Sequence, residues 1–152
     1  GGLAKQSWLP HWTMQLPRHE RGTVAMACDL MNDAEAPGRV RLEFRDWSGS
    51  PWHGGPTVFV GPDGTVQAGG RKVGTVPPGR WVRLEIGFAY GPGAPKTYTV
   101  TLRPDASEAK TASDVPFTSE QFARPTWFGI SSLDDEEAAY YLDNVRMSVD
   151  HH

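Results

Sequence analysis

Alternation with a period of two runs through most of this chain. In GTVAMACDLMN, Val24, Met26, Cys28 and Leu30 take every second place. In GRVRLEFRDW, Val40, Leu42 and Phe44 alternate with Arg39, Arg41, Glu43, Arg45 and Trp47. WVRLEIGFAY sets Val82, Leu84, Ile86 and Phe88 against Trp81, Arg83 and Glu85. KTYTVTLRPD sets Tyr98, Val100 and Leu102 against three threonines and Arg103. Side chains on a strand point alternately to opposite faces, so each segment has one buried and one wet side. That is the pattern of antiparallel sheets. About ten such strands with turn signals between them predict an all-β, two-sheet antiparallel sandwich or jelly roll.

The punctuation agrees. Seventeen glycines and thirteen prolines are spread along the 152 residues, which indicates many turns rather than one disordered tract. TVFVGPDGTVQAGG reads as a hairpin about a Pro-Asp-Gly turn. GPGAPK, 91–96, reads as another hairpin loop, and PDASEAKTASDVP, 104–116, as a polar crossover between sheets. The single helix-like piece is TSEQFAR, 118–124, capped by Thr118 or Ser119. No repeat or linker divides the chain, so residues 1–150 are expected to form one domain. The terminal His151 and His152 read as tag remnants.

Composition removes several functions. The formal charge is −3, with no basic patch for nucleic acid. No apolar stretch is long enough to span a bilayer. The lone cysteine, Cys28, excludes an internal disulfide and sits in a core pattern, so it reads as a buried thiol. His11, His19 and His53 are scattered, without the spacing of a zinc site. The run Asp134 to Glu137 reads as a solvated acidic turn.

The closing segment YYLDNVRMSV, 140–149, places Tyr141, Asp143, Val145, Met147 and Val149 on one side of a strand. An inward Asp143 needs a partner, because an unpaired buried charge costs several kcal/mol. The preferred reading is that it accepts backbone N–H groups and anchors the last strand to a neighbouring loop.

From residue 81 onward the motifs GRWVRLEIGFAY, YTVTL, WFGISS and YYLDNVRMSV resemble laminin-G-like domains of the concanavalin A-like lectin/glucanase superfamily. The resemblance implies a sandwich of roughly twelve to fourteen strands. It also implies a non-catalytic part of an exported polysaccharide-handling protein, extracellular or periplasmic, with other domains as neighbours. A structural calcium at Asp143 is a further implication, since related modules use an acid on the closing strand.

Enzymes share this fold, so chemistry has to be sought in the residues. Glycoside hydrolysis needs two carboxylates about 5–5.5 Å or roughly 6.5–9.5 Å apart. Laminarinase-type relatives carry Glu-x-Asp-x-Glu on one strand, and this chain has no such element. A lyase would need a base and groups that neutralise a uronate. Arg41, Arg45, His53 and Tyr90 supply the types, but nothing in their spacing joins them.

RLEFRDWSGSPWHGG, 41–55, is the most suggestive stretch. Arg41, Glu43, Arg45 and Trp47 share one strand face, and Trp52 and His53 follow in a Ser/Gly/Pro loop. Indoles can stack on sugar rings while Arg and Glu pair with hydroxyls, so these six residues are the candidate carbohydrate site. The competing reading folds Trp47 and Trp52 over the sheet edge as core. Trp81 and Trp127, at strand starts, read as structural, and Trp8 and Trp12 as cover near the amino terminus. The expected function is a carbohydrate-binding or adhesion module with a polysaccharide or glycan partner. The alternatives are a hydrolase or lyase of the same fold, and a structural domain that packs on a partner enzyme.

Overall fold

A computed structural model describes residues 11–105, 107–134 and 139–151, with the side chain of residue 11 left out of the description. Trp8, His152 and residues 135–137 of the acidic run lie outside these. Among the described residues there are eleven strands and no helix. They are β1 (His11–Gln15), β2 (Gly22–Asn32), β3 (Val40–Asp46), β4 (His53–Val60), β5 (Thr65–Ala68), β6 (Arg71–Thr75), β7 (Val82–Tyr90), β8 (Thr97–Pro104), β9 (Lys110–Pro116), β10 (Trp127–Ser132) and β11 (Tyr140–His151). They form a six-stranded sheet in the order β1-β10-β3-β4-β5-β6 and a five-stranded sheet in the order β11-β2-β7-β8-β9. The pairings are antiparallel, as the alternation requires.

The apolar sets read from the sequence meet between the sheets. Val24, Met26, Cys28 and Leu30 of β2 and Leu84, Ile86 and Phe88 of β7 join Val40, Leu42 and Phe44 of β3 and Phe128 and Ile130 of β10 in one core. Each such side chain contributes roughly 1.5–3 kcal/mol by leaving water. Phe44 is the hinge of an aromatic cluster, with ring centroids 4.9 Å from Phe88 and 4.6 Å from Phe128.

Cys28 lies fully within this core. Burial, reinforced by the nearby Asp29 charge and opposed by Arg83, pushes its thiol up to about 12. The thiolate is the reactive form. Ellman's reagent at pH 8 is therefore expected to find no reactive thiol in the native protein and one in denaturant. Rapid labelling without denaturant would contradict this placement.

Both hairpins form where expected. In the β4–β5 turn, Gly61 donates its N–H to Thr65 O at 2.9 Å and Gly64 donates to Gly61 O at 3.0 Å. Gly64 has φ of 87°, and a Cβ there would lie 2.2 Å from Val76 O, so glycine is required. Residues 91–96 connect β7 to β8.

Three expectations are corrected. Residues 110–116 are not a crossover but the edge strand β9, paired with β8. Residues 118–124 do not form a helix. They make a turn in which Phe122 N–H reaches Ser119 O at 3.2 Å, and Phe122 is drawn into the core.

The third correction concerns the closing strand. Between Asp143 and Arg146 the register with β2 shifts, and Asn144 takes φ of 50°. A bulge adds one residue and reverses the parity of the strand beyond it. Tyr140, Leu142, Val145, Met147 and Val149 pack against the core, while Tyr141 and Asp143 are exposed. Asp143 Oδ1 accepts only the N–H of the adjacent Asn144, at 2.8 Å, among the described residues. The carboxylate therefore does not point inward as an anchor of the closing strand. His151 pairs with Gly22 at the end of β11, and its ring stacks on His19 at 3.8 Å.

Candidate functional site

The outward residues of β3 build a continuous polar strip on the six-stranded sheet. The Glu43 carboxylate is its centre and is 6% exposed. Arg45 Nε donates to Glu43 Oε1 at 2.5 Å, whereas Arg41 Nε stands 3.9 Å from the same oxygen. The first is a short charge-assisted hydrogen bond; the second is too long for one. One carboxylate thus faces two guanidinium groups.

Arg45 is held from three sides. Its guanidinium lies 3.9 Å from the ring centroid of Trp52 and 4.5 Å from that of Trp127. Both are cation–π contacts, each worth about 0.5–2 kcal/mol. Trp47 sits beside Trp52 with centroids 5.9 Å apart and a tilt of 42°. Trp47 is 43% exposed and Trp52 half-buried, and neither belongs to the core cluster. The reading of these two indoles as core is therefore corrected. Trp127, read as structural, instead lies on the outer face, paired with Arg45 across the β10–β3 ladder. Its ring covers Gly129, where a Cβ would collide with the indole at 2.1 Å. Trp81 is likewise exposed, while Trp12 does pack edge-on against Phe128.

Asp46 and Thr126 fix the loop that carries Trp47. Asp46 is 3% exposed and continues the inward parity of β3. Its carboxylate accepts N–H groups from Ser48 at 2.9 Å, Ala123 at 3.0 Å and Arg124 at 3.2 Å. Burial raises its proton affinity, but these bonds outweigh that and hold it below the usual carboxylate value. Thr126 Oγ1 accepts the Trp47 N–H at 2.9 Å. On the other side a bulge in β4, between the Glu43 and Arg45 pairings, turns Gly54 and His53 alongside Arg45 and Asp46. His53 is half-buried.

Arg41, Glu43, Arg45, Trp47 and Trp52 thus fall along one strip, while His53 pairs with the inward Asp46 and does not join them; the sequence reading missed Trp127 and Phe59. Phe59 pairs with Arg41 across β3–β4 and is 42% exposed. A cavity of about 330 Å³ beside β3 is lined by Thr13, Arg41, Arg45, Trp127 and Ser131. Tyr90, a lyase candidate, does not join them. It lies in the core on β7 of the other sheet, and burial raises its phenol above the ordinary value. Asp134 is paired with Arg39, Nε to Oδ1 at 2.9 Å.

Calcium would require six to eight oxygen ligands. Asp143 is exposed, and no three His, Cys, Asp or Glu side chains form a metal cluster among the described residues. Among the described residues, no helix is long and apolar enough to cross a membrane.

The architecture has solved counterparts. A tetrameric galectin from the ball sponge Cinachyrella sp. superposes with a TM-score of 0.53 at 14% identity, covering 93% of this chain and 100% of the galectin. An endo-β-1,4-glucuronan lyase from Trichoderma reesei gives 0.55 at 12%, covering 93% of this chain and 74% of the lyase. The catalytic domain of a glycoside hydrolase family 131 protein from Coprinopsis cinerea gives 0.52 at 13%, covering 86% of this chain but 58% of that one. The fold is thus a two-sheet antiparallel jelly-roll sandwich, the architecture these lectin and glycan-active structures share. No family model matches the chain, and no curated protein does.

Proposed function

We propose that this chain is a non-catalytic glycan-binding module, with the outer face of the six-stranded sheet as its binding surface. The observation that carries this is an exposed indole, Trp47, beside a Trp52–Arg45–Trp127 stack whose guanidinium is locked by Glu43. A rigid platform next to fixed polar groups suits a sugar, whose ring face is apolar and whose rim is not. Two structural neighbours, by name a galectin and a glucuronan lyase, support a sugar ligand. The strand motifs at 81–90 and 127–147 support the finer laminin-G-like assignment, and with it an exported parent protein with further domains. The burial of Tyr90 in the opposite sheet removes one base from the lyase reading.

Trp47→Ala is expected to weaken polysaccharide binding about tenfold, a loss of about 1.4 kcal/mol. Melting should change little, because the indole is exposed. A polysaccharide array followed by affinity electrophoresis measures the first, and a thermal scan the second. Undiminished binding by the variant would remove Trp47 from the site. Release of reducing ends or unsaturated products by the wild-type protein would replace the binding module with an enzyme.

A further inference from the structure

Resting on that reading of the face, we infer that its ligand is an acidic glycan, and that Arg41 with Phe59 forms the subsite for the charged sugar. Register places Ser131, Arg41, Phe59, Gln67 and Lys72 side by side across five strands. At about 4.8 Å per strand this row spans roughly 19 Å, enough for several sugar residues.

Charge singles out Arg41. The strip holds two guanidinium groups and one carboxylate, and Arg45 takes the carboxylate at 2.5 Å. Arg41 Nε is buried and has no hydrogen-bond partner among the described residues. The Arg41 side chain remains 26% exposed and lines the cavity shared with Thr13 and Ser131. A planar guanidinium fork on a part-exposed side chain matches a carboxylate or sulfate, which can take two N–H groups at once. Its neighbour Phe59 offers an exposed ring at cross-strand distance. The other charges nearby do not quench it. Arg39 is paired with Asp134, and Asp63 is turned back on Thr65, accepting its N–H at 3.0 Å and its hydroxyl at 3.1 Å. Neutral sugars would leave Arg41 with only the Glu43 carboxylate, 3.9 Å away and shared with Arg45, as its counter-ion.

The test compares polygalacturonate with the same polymer after reduction of its carboxyl groups, with dextran sulfate and dextran as a second pair. Calorimetry is run on the wild type and on Arg41→Gln. Wild-type binding is expected to fall at least tenfold when the carboxyls are reduced, and to weaken with added salt. Arg41→Gln should abolish the difference within each pair. A preference for dextran sulfate over polygalacturonate would keep the anionic subsite and assign it to sulfate esters. Equal wild-type binding to both members of each pair would overturn the inference while leaving glycan binding intact, and needs no variant to fold. Trp47-dependent binding of neutral glycans alone would do the same. Silence toward every polymer would sink the glycan-binding reading together with this one.

Discussion

Replacing Glu43 by alanine should destabilise the protein by about 2 kcal/mol. Breaking a fully buried ion pair by removing one partner costs about 3–5 kcal/mol, because the surviving charge is left uncompensated. Here the survivors are the guanidinium groups of Arg45 and Arg41, with side chains 16% and 26% exposed, so water recovers part of the loss. Glu43→Gln should cost less, since its amide oxygen can still accept from Arg45 Nε. Urea unfolding with linear extrapolation gives the difference. Loss of the bond also frees Arg45 from its place between Trp52 and Trp127, so native tryptophan emission should change with it. A Glu43→Ala variant within about 0.5 kcal/mol of wild type, the range of an ordinary surface substitution, would show that the carboxylate does not organise the strip.

The same substitution bears on function. Without Glu43 the strip carries two positive charges and none negative. Affinity for an acidic polymer should then be kept or raised as long as the protein is folded, whereas a catalytic carboxylate would show the opposite. Stability and binding therefore separate an electrostatic organiser from an acid taking part in chemistry.

How much of this was legible beforehand depends on how far each residue's role is set by its own strand. The inward sets of β2, β3, β7 and β8 follow strict alternation, and burial confirms them residue by residue. Arg41, Glu43 and Arg45 were legible as one face for the same reason. Trp127 and Phe59 were not, because they reach the strip through the β10–β3 and β3–β4 registers, and pairing is non-local information. Strand β9 was hidden by its position at an edge. With Val115 as its single buried residue, KTASDVP has no apolar alternation to read. Asp143 failed for a different reason. One residue in the left-handed region, Asn144, reverses the parity of the strand around it. Asn is among the few residues that adopt this conformation readily, so the Asp-Asn pair was itself the available signal.

Asp46→Ala is expected to be the most damaging change near the site, by about 3 kcal/mol. The carboxylate is buried and accepts three backbone N–H groups, from Ser48, Ala123 and Arg124. Each hydrogen bond to a charged acceptor is worth about 1.5–3 kcal/mol, and each donor left unsatisfied adds to the loss; exchange with water offsets part of the sum. The effect should depend on pH with a definite sign. Asp46 has a lower pKa in the folded protein than the ordinary carboxylate value. The unfolded chain therefore takes up the proton first as the solution is acidified. Its contribution is full above about pH 4 and is lost as pH falls through the folded value. Unfolding free energies of the wild type and Asp46→Asn should therefore differ most near pH 7 and converge toward pH 2. Because Asp46 ties residues 122–126 to the end of β3, where Thr126 holds the Trp47 N–H, the variant should also lose glycan affinity while Trp47 itself is intact. A gap between the two proteins that stays constant from pH 7 to pH 2 would mean that Asp46 acts through shape rather than charge, and the loop carrying Trp47 would need another anchor.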